Sequence, residues 1–166
     1  SRRQRQMCIR DRMPVAIMAM GIVFNLLNGM MQAGGLFYFA PEGLYADGWA
    51  YLLKPHALLG IILFFAGMFV NLHSDYVIRH LRRPGDTKHY LPGKGLYRYV
   101  TSANYFGELV EWTGFAILTA SPAAWVFVWW TFANLVPRAD AIHRRYREEF
   151  GDEVVGKRKR IIPFLY

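Results

Sequence analysis

The sequence is poor in the residues and motifs on which several protein classes depend. It contains one cysteine, Cys8, so a disulfide framework is excluded. Its five histidines are dispersed and it has no HExxH or CxxC pattern, so no metal site is predicted. The glycine-rich motifs of Rossmann and P-loop nucleotide sites are missing as well. There is no GxSxG motif, and no nucleophile and base are suitably placed for hydrolysis.

Charge is missing from three long stretches, 14–40, 55–74 and 121–137, which contain no Asp, Glu, Lys or Arg. A fourth stretch, 99–120, carries only Glu108 and Glu111. About 20 mostly apolar residues are enough to cross a bilayer as a helix, and the sequence is 54% hydrophobic with a mean hydropathy of +0.11. The predicted fold class is therefore an all-α membrane protein. Its four transmembrane helices are predicted at 14–38, 54–82, 100–119 and 122–149, with a loop at 84–98 capping the cytosolic side.

The first twelve residues differ from the rest. Residues 1–12 read SRRQRQMCIRDR, with five arginines, and the sequence then becomes apolar abruptly. The CIRDR string is similar to translated sequencing-adapter sequence, so 1–12 are predicted to be a non-native or disordered segment; a native basic arm is the alternative. Residues 13–166 are then predicted to be a membrane domain from a truncated reading frame.

Basic residues are concentrated in two segments. Residues 79–98 contain six Lys or Arg and residues 138–160 contain eight, whereas 40–51 contain none. The positive-inside rule therefore predicts a multi-pass protein whose 79–98 loop and C-terminus are cytosolic. Because the charge flanks membrane spans, nucleic acid is not expected as a partner. Aromatic residues near the span ends are predicted to form interfacial belts: Trp49, Tyr51, Tyr97, Tyr99 and Trp125.

The polar residues that end the second predicted helix lie on one face. Asn71, Asp75, Arg79 and Arg82 follow i, i+4, i+8, i+11 spacing, a narrow arc at 100° per residue. A carboxylate at the edge of a bilayer is costly unless it is paired or faces a polar cavity. The pattern favours a polar pocket at the membrane boundary. The alternative is a helix end whose arginines extend to lipid headgroups.

The third and fourth predicted helices each carry a further polar face. Their members are Asn104, Glu108 and Glu111 on the third helix, and Asn134, Arg138 and Arg145 on the fourth. Carboxylates within a span are functional candidates, although an interhelical hydrogen bond is the alternative role. Arginine suits phosphates, carboxylates suit ribose hydroxyls and asparagine suits amides. With Tyr90 and Tyr146 nearby, the three faces predict a site for a dinucleotide or similar cofactor in the cytosolic half.

Three segments together resemble the C-terminal half of the steroid 5-alpha-reductases. They are NxHSDYxxRxLRxPG from Asn71, PxxGLYxYVxxANYxGExxEW from Pro92, and the terminal IPFLY. The resemblance covers most of residues 14–166. It implies a seven-helix membrane reductase, of which this chain would hold the last four helices. It also implies NADPH as cofactor, and hydride transfer to the β-carbon of an enone in a lipid substrate such as a 3-oxo-Δ4 steroid.

The resemblance also implies roles for individual residues. In the family a Glu and a Tyr from earlier helices polarise the substrate carbonyl, so no catalytic residue is expected here and the chain alone is expected to be inactive. The residues that match cofactor-contacting positions are Asn71, Asp75, Arg82, Asn104, Glu108, Arg138 and Tyr146, with Tyr90 and Arg158 matching less certain positions.

Two departures from the family pattern leave some contacts open. His89-Tyr90 stands where the mammalian enzymes have a Tyr-Arg pair, and Ala141-Ile142 replaces part of a His-rich stretch. The substrate is therefore not fixed among a steroid, a sterol, a polyprenol and an enoyl thioester.

Two other functions stay open at this point. Residues 145–151 are similar to the end of the isoprenylcysteine methyltransferases, which bind S-adenosylmethionine. A non-catalytic membrane adaptor is the other alternative, but it does not account for three polar faces on one side of the membrane. The HSDY and ANYxGE segments favour the reductase.

Overall fold

The computed structural model describes residues 15–81 and 88–166. The described part is all-α, as predicted, with one isolated bridge between Val100 and Lys159 and no β-strand. The helices are α1 (Val15–Phe37), α2 (Pro55–Arg79), α3 (Ala103–Thr119), α4 (Pro122–Phe150) and α5 (Asp152–Val155), with short 3-10 helices at Gly48–Leu53 and Gly95–Arg98. The prediction for residues 1–12, the Arg82 position and part of the 84–98 loop lie outside the described residues.

The four predicted helices are present, with boundaries shifted by a few residues. Pro55 and Pro122 stand in the first turns of α2 and α4, where a missing N–H costs nothing. The third helix begins at Ala103 rather than at residue 100. The reason is that the N–H groups of Thr101 and Ser102 donate to the carbonyls of Lys159 and Arg160, at 2.9 and 3.1 Å, so these residues pair with the C-terminal segment.

Two of the described helices, α1 and α2, are long and apolar enough to cross a membrane. Their mean hydropathies over 18 residues are 1.5 and 1.9. The third helix has only 17 residues, and α4 becomes polar in its second half. Length and composition therefore single out two candidate spans rather than the predicted four.

The chain divides into two compact units, residues 1–40 and 41–166. In the first unit, α1 exposes large apolar side chains in every turn, among them Leu26 and Met30. Within the helix, the amide of Gln32 donates to Oδ1 of Asn28 at 3.4 Å. A helix that is apolar on all sides is typical of a lipid environment or of burial among other helices.

In the second unit, α2 and α3 pack antiparallel through glycines. A Cβ atom on Gly60 would lie 2.8 Å from the carbonyl oxygen of Gly114, and one on Gly114 would lie 2.8 Å from that of Gly60. Gly67 and Gly107 face each other in the same way, at 2.7 and 2.8 Å. The two backbones are therefore in direct contact at two levels, seven residues apart on each helix.

The predicted aromatic belt is wrong for two of its five members. Tyr51 and Tyr97 are only 4% and 1% exposed, whereas Trp49 is 87% exposed. Tyr97 belongs to a small apolar core with Val77 and Val100. Side chains that the sequence placed at the lipid surface instead pack inside the protein, because the connecting segments fold back onto the helix ends.

Candidate functional site

The antiparallel pairing brings the C-terminal turns of α2 and the N-terminal turns of α3 to one end of the helix pair. We call this the polar end. It carries Asn71 and Asp75 from α2, and Asn104 and Glu108 from α3. All four side chains are half-buried. Polar groups in this state are shielded enough for strong electrostatic interactions and still open to a ligand.

Close backbone contact positions Asn71. A Cβ on Gly107 would lie 2.5 Å from the backbone nitrogen of Asn71, so no side chain separates the helices at this level. The Asn71 side chain interacts with the carboxylate of Glu111, one turn further along α3 than Gly107. The role of Glu111 as an interhelical contact stays a prediction.

The carboxylate of Glu108 lies among charges from three helices. It interacts electrostatically with Glu111 on its own helix, with Arg138 on α4 and with Asp75 on α2. Arg138 is exposed, and Asp75 also pairs with Arg79 at 3.7 Å. Residues predicted separately from three helical patterns thus lie in one neighbourhood of mixed charge.

Asn104 is hydrogen-bonded by Tyr97, a residue that the sequence predicted to lie in an interfacial aromatic belt. The Tyr97 hydroxyl donates to Oδ1 of Asn104 at 3.3 Å, which is long for such a bond. Burial raises the pKa of the Tyr97 hydroxyl above its usual value, with smaller contributions from Tyr146 and Asp75. Tyr97 is therefore a neutral hydrogen-bond donor at the polar end. Its position in the LYxY segment gave no signal of this role.

Arg158 is fixed by the backbone. Its Nη1 donates to the carbonyl oxygen of Pro92 at 2.6 Å. Burial lowers the pKa of the Arg158 guanidinium, and the nearby Tyr146 hydroxyl opposes that shift. An arginine has five N–H donors, so one bond to Pro92 leaves others for a ligand. The Tyr146 hydroxyl thus lies within electrostatic range of both Arg158 and Tyr97.

Tyr90 lies on the wall of a cavity of about 450 Å³ in the second unit. Tyr146 lines the same cavity, so two predicted residues meet there. The other described residues that line it are Ile78, Arg79, Leu81, His89, Ile142, Arg145 and Glu149. Of the nine predicted cofactor residues, eight are described, and Arg82 lies outside the described residues.

The C-terminal segment contributes residues that no sequence pattern indicated. Nε of Arg160 donates to Oδ1 of Asp140 at 2.7 Å, and the Arg160 guanidinium lies 4.8 Å from the centre of the Tyr166 ring. Thr101 Oγ1 lies 3.3 Å from Nδ1 of the buried His143. The Arg160–Asp140 pair attaches the C-terminal segment to α4, and the Thr101–His143 contact joins the start of α3 to α4. Among the described residues, no group of three or more His, Cys, Asp or Glu could hold a metal ion.

The comparisons with known proteins agree on one family. The 3-oxo-5-alpha-steroid 4-dehydrogenase family matches residues 11–166. The chain is 43% identical over 154 residues to 3-oxo-5-alpha-steroid 4-dehydrogenase 1 of Macaca fascicularis, covering 93% of this chain and 56% of that protein. It is 42% identical to the human protein of the same name, covering 93% and 57%. It is 38% identical to steroid 5-alpha-reductase DET2 of Gossypium hirsutum, covering 92% and 58%.

A match over this much of the sequence defines the class of the protein. The chain belongs to the 3-oxo-5-alpha-steroid 4-dehydrogenase family. It spans a little over half the length of the curated relatives that it matches.

Proposed function

We propose that this chain forms the cofactor-binding part of an NADPH-dependent membrane reductase. The enzyme would reduce a carbon–carbon double bond conjugated to a carbonyl in a steroid-like lipid. The observation that carries the proposal is the meeting of Asp75, Glu108 and Arg138, from three different helices, at the polar end. The family supports it, since its members are named as steroid dehydrogenases and reductases.

The residues at the polar end fit the functional groups of a dinucleotide. Asp75 and Glu108 are suited to ribose hydroxyls, because an ionised carboxylate accepts hydrogen bonds on both oxygens. Arg138 and Arg158 are suited to phosphate oxygens. Asn71 and Asn104 can both donate to and accept from an amide, as the nicotinamide carboxamide requires. Bound NADPH would supply the hydride, and the half-buried side chains would hold it in a fixed orientation.

We infer that α3 and α4 cross the membrane with α1 and α2, as the last four helices of a seven-helix bundle. An isolated span of 17 residues is short, but α3 contacts α2 along its backbone and shares its environment. By the positive-inside rule, the basic segments 79–98 and 138–160 support a cytosolic location for the polar end and the C-terminus. NADPH would then reach the site from the cytosol, and the lipid substrate from the membrane.

We further propose that the group polarising the substrate carbonyl comes from outside this chain. Stabilising the enolate that forms on hydride transfer is usually the largest catalytic term. In this chain the carboxylates of the polar end are assigned to the cofactor. The chain alone is then expected to bind NADPH without reducing an enone.

Binding to the purified chain in lipid nanodiscs tests the proposal. We expect saturable NADPH binding, which Asp75→Ala weakens by about tenfold. Asp47→Ala is the matched control, because Asp47 is paired with Lys54 at 2.7 Å and belongs to the segment that closes the opposite end of the helix pair. Binding of S-adenosylmethionine instead of NADPH would indicate a methyltransferase. Binding of neither would indicate a protein without a cofactor.

A further inference from the structure

The cavity that contains Tyr90 and Tyr146 combines apolar, aromatic and cationic walls. Ile78, Leu81 and Ile142 are apolar, and Arg79 and Arg145 supply two permanent positive charges. Its volume of about 450 Å³ lies within the range of small-molecule sites. An adenine ring fits an apolar and aromatic wall, and a phosphate fits paired arginines. The lining therefore matches a phosphorylated adenosine.

The charged side chains that line the cavity differ in how closely they are paired with an opposite charge. Among the described residues, Glu149 is the one carboxylate that lines the cavity, and Nδ1 of His89 lies 2.6 Å from its Oε1. Arg79 forms a weak ion pair with Asp75, in which Nη2 and Oδ2 are 3.7 Å apart. Arg145 forms no ion pair with any residue that the structure describes. An anion entering this cavity would thus meet one arginine without a counter-ion and one that is only weakly paired.

The cavity is connected to the polar end at two points. Arg79 lines the cavity and pairs with Asp75 of the polar end. Tyr146 lines the cavity and interacts electrostatically with Tyr97 and Arg158. A dinucleotide is long enough to occupy both places, with its nicotinamide half among the asparagines and carboxylates and its adenosine half in the cavity.

We propose that Arg145 selects NADPH over NADH by binding the phosphate on the adenosine ribose. NADPH differs from NADH only in that phosphate, which carries about two negative charges at neutral pH. A guanidinium makes bidentate, charge-assisted hydrogen bonds to such a group. This inference rests on the proposed function, and it assigns the cofactor preference to one residue of this chain.

Dissociation constants of NADPH and NADH for the full chain in nanodiscs test the assignment. In the unmodified chain we expect NADPH to bind at least about tenfold more tightly than NADH. Arg145→Ala should weaken NADPH binding by about tenfold or more and leave NADH binding unchanged. Arg145→Lys keeps the charge but loses the planar guanidinium. Its NADPH affinity should therefore lie between those of the unmodified chain and of Arg145→Ala.

Arg144→Ala is the matched control. It makes the same change in net charge at the neighbouring position, but Arg144 does not line the cavity and pairs with Asp140 at 3.2 Å. Its NADPH to NADH ratio should equal that of the unmodified chain.

The possible results separate the two proposals. An unchanged ratio in Arg145→Ala, or an equal loss of both nucleotides, would overturn the assignment of Arg145 while NADPH binding by the unmodified chain preserves the cofactor proposal. If the unmodified chain binds neither nucleotide, both proposals fail. Circular dichroism of each variant verifies that the helices are intact, and the Arg145→Lys variant decides the matter if Arg145→Ala does not fold.

Discussion

The two ends of the α2–α3 pair use polar groups in different ways. At the end where α3 finishes, the Tyr45 hydroxyl donates to the carbonyl of Thr119 at 2.5 Å, and the Tyr51 hydroxyl donates to that of Leu118 at 2.8 Å. We call this the closed end. The last carbonyls of a helix have no partner within it, so these tyrosines satisfy groups that would otherwise be buried unpaired.

At the polar end, fewer of the polar groups are satisfied by close contacts. Its side chains carry charges of both signs, they are half-buried, and they interact mostly through partial or long-range contacts such as the 3.7 Å pair of Asp75 and Arg79. Polar groups that are fully satisfied inside the protein stabilise it, whereas groups left partly unsatisfied and accessible are available to a ligand. The comparison teaches that polarity within apolar helices is not by itself a sign of a site.

The largest effect is expected from Gly67→Ala, which disturbs the glycine contact between α2 and α3. A Cβ there would overlap the backbone of α3 at Glu111 and Gly107. Overpacking of this kind costs about 1–3 kcal/mol, and it should also weaken NADPH binding by moving Asn71 and Glu111 apart. Reversible unfolding in mixed micelles measures the first effect and nucleotide titration the second.

Gly29→Ala serves as the control for that experiment. Gly29 is helical and exposed, and a Cβ there would meet no described atom within 4 Å. It should raise the free energy of unfolding by up to about 1 kcal/mol, through helix propensity alone. Equal effects of the two substitutions would mean that the glycine contact does not hold the helix pair together.

The next largest effect should be confined to the polar end. Glu108→Gln removes a charged acceptor while keeping the shape of the side chain, so we expect NADPH affinity to fall by about tenfold. The free energy of unfolding should not fall, since the half-buried carboxylate lies near Asp75 and Glu111, which repel it. Isothermal titration gives the affinity. Glu148→Gln makes the same change at an exposed carboxylate on α4 and should change neither quantity.

At the closed end, Tyr51→Phe should have the opposite profile. Removal of the hydroxyl leaves the Leu118 carbonyl without its partner, at a cost of about 1 kcal/mol. NADPH affinity should stay the same because the change is at the far end of the helix pair. Tyr38→Phe, at an exposed tyrosine of the first unit, provides the baseline. A loss of affinity in Tyr51→Phe without a loss of stability would contradict the division between the two ends.

The smallest effect concerns an exposed ion pair between the end of α4 and α5. Arg147 donates two hydrogen bonds to Asp152, and they lower the pKa of the Asp152 carboxyl below its usual value. A lowered pKa in the folded state stabilises the protein above the pKa of the unfolded chain, and that stabilisation is lost as the pH falls below about 4. The melting temperatures of the chain and of Asp152→Asn should therefore differ slightly at pH 7, and the difference should shrink as the pH falls through the lowered pKa of Asp152.

The helices and their polar faces could be predicted because both depend on local patterns. Apolar runs indicate the helices, and i, i+4 spacing places Asn71 with Asp75 and Asn104 with Glu108. Contacts between distant segments could not be predicted in this way. The burial of Tyr51, the Asp140–Arg160 pair and the late start of α3 each depend on a partner at least 20 residues away in the sequence.

The glycine contacts have a local signal in the sequence. Gly60 and Gly67, and Gly107 and Gly114, are each seven residues apart, a repeat that keeps small residues on one face of a helix. The role of the polar faces as a cofactor site, with Arg82 as a member, stays a prediction, because side-chain proximity without a ligand does not identify what binds.

The glycine contacts also restrict how the two helices can move. Sliding α2 along α3 by one turn, about 5.4 Å, would place Gly60 and Gly67 against larger side chains instead of against Gly114 and Gly107. The next offset that again matches glycine with glycine is seven residues, or about 10.5 Å. Axial sliding is therefore blocked over any realistic amplitude. If the proposed cofactor binds here, its exchange would require motion of the connecting segments or of α4, with α2 and α3 as a fixed frame against which that motion occurs.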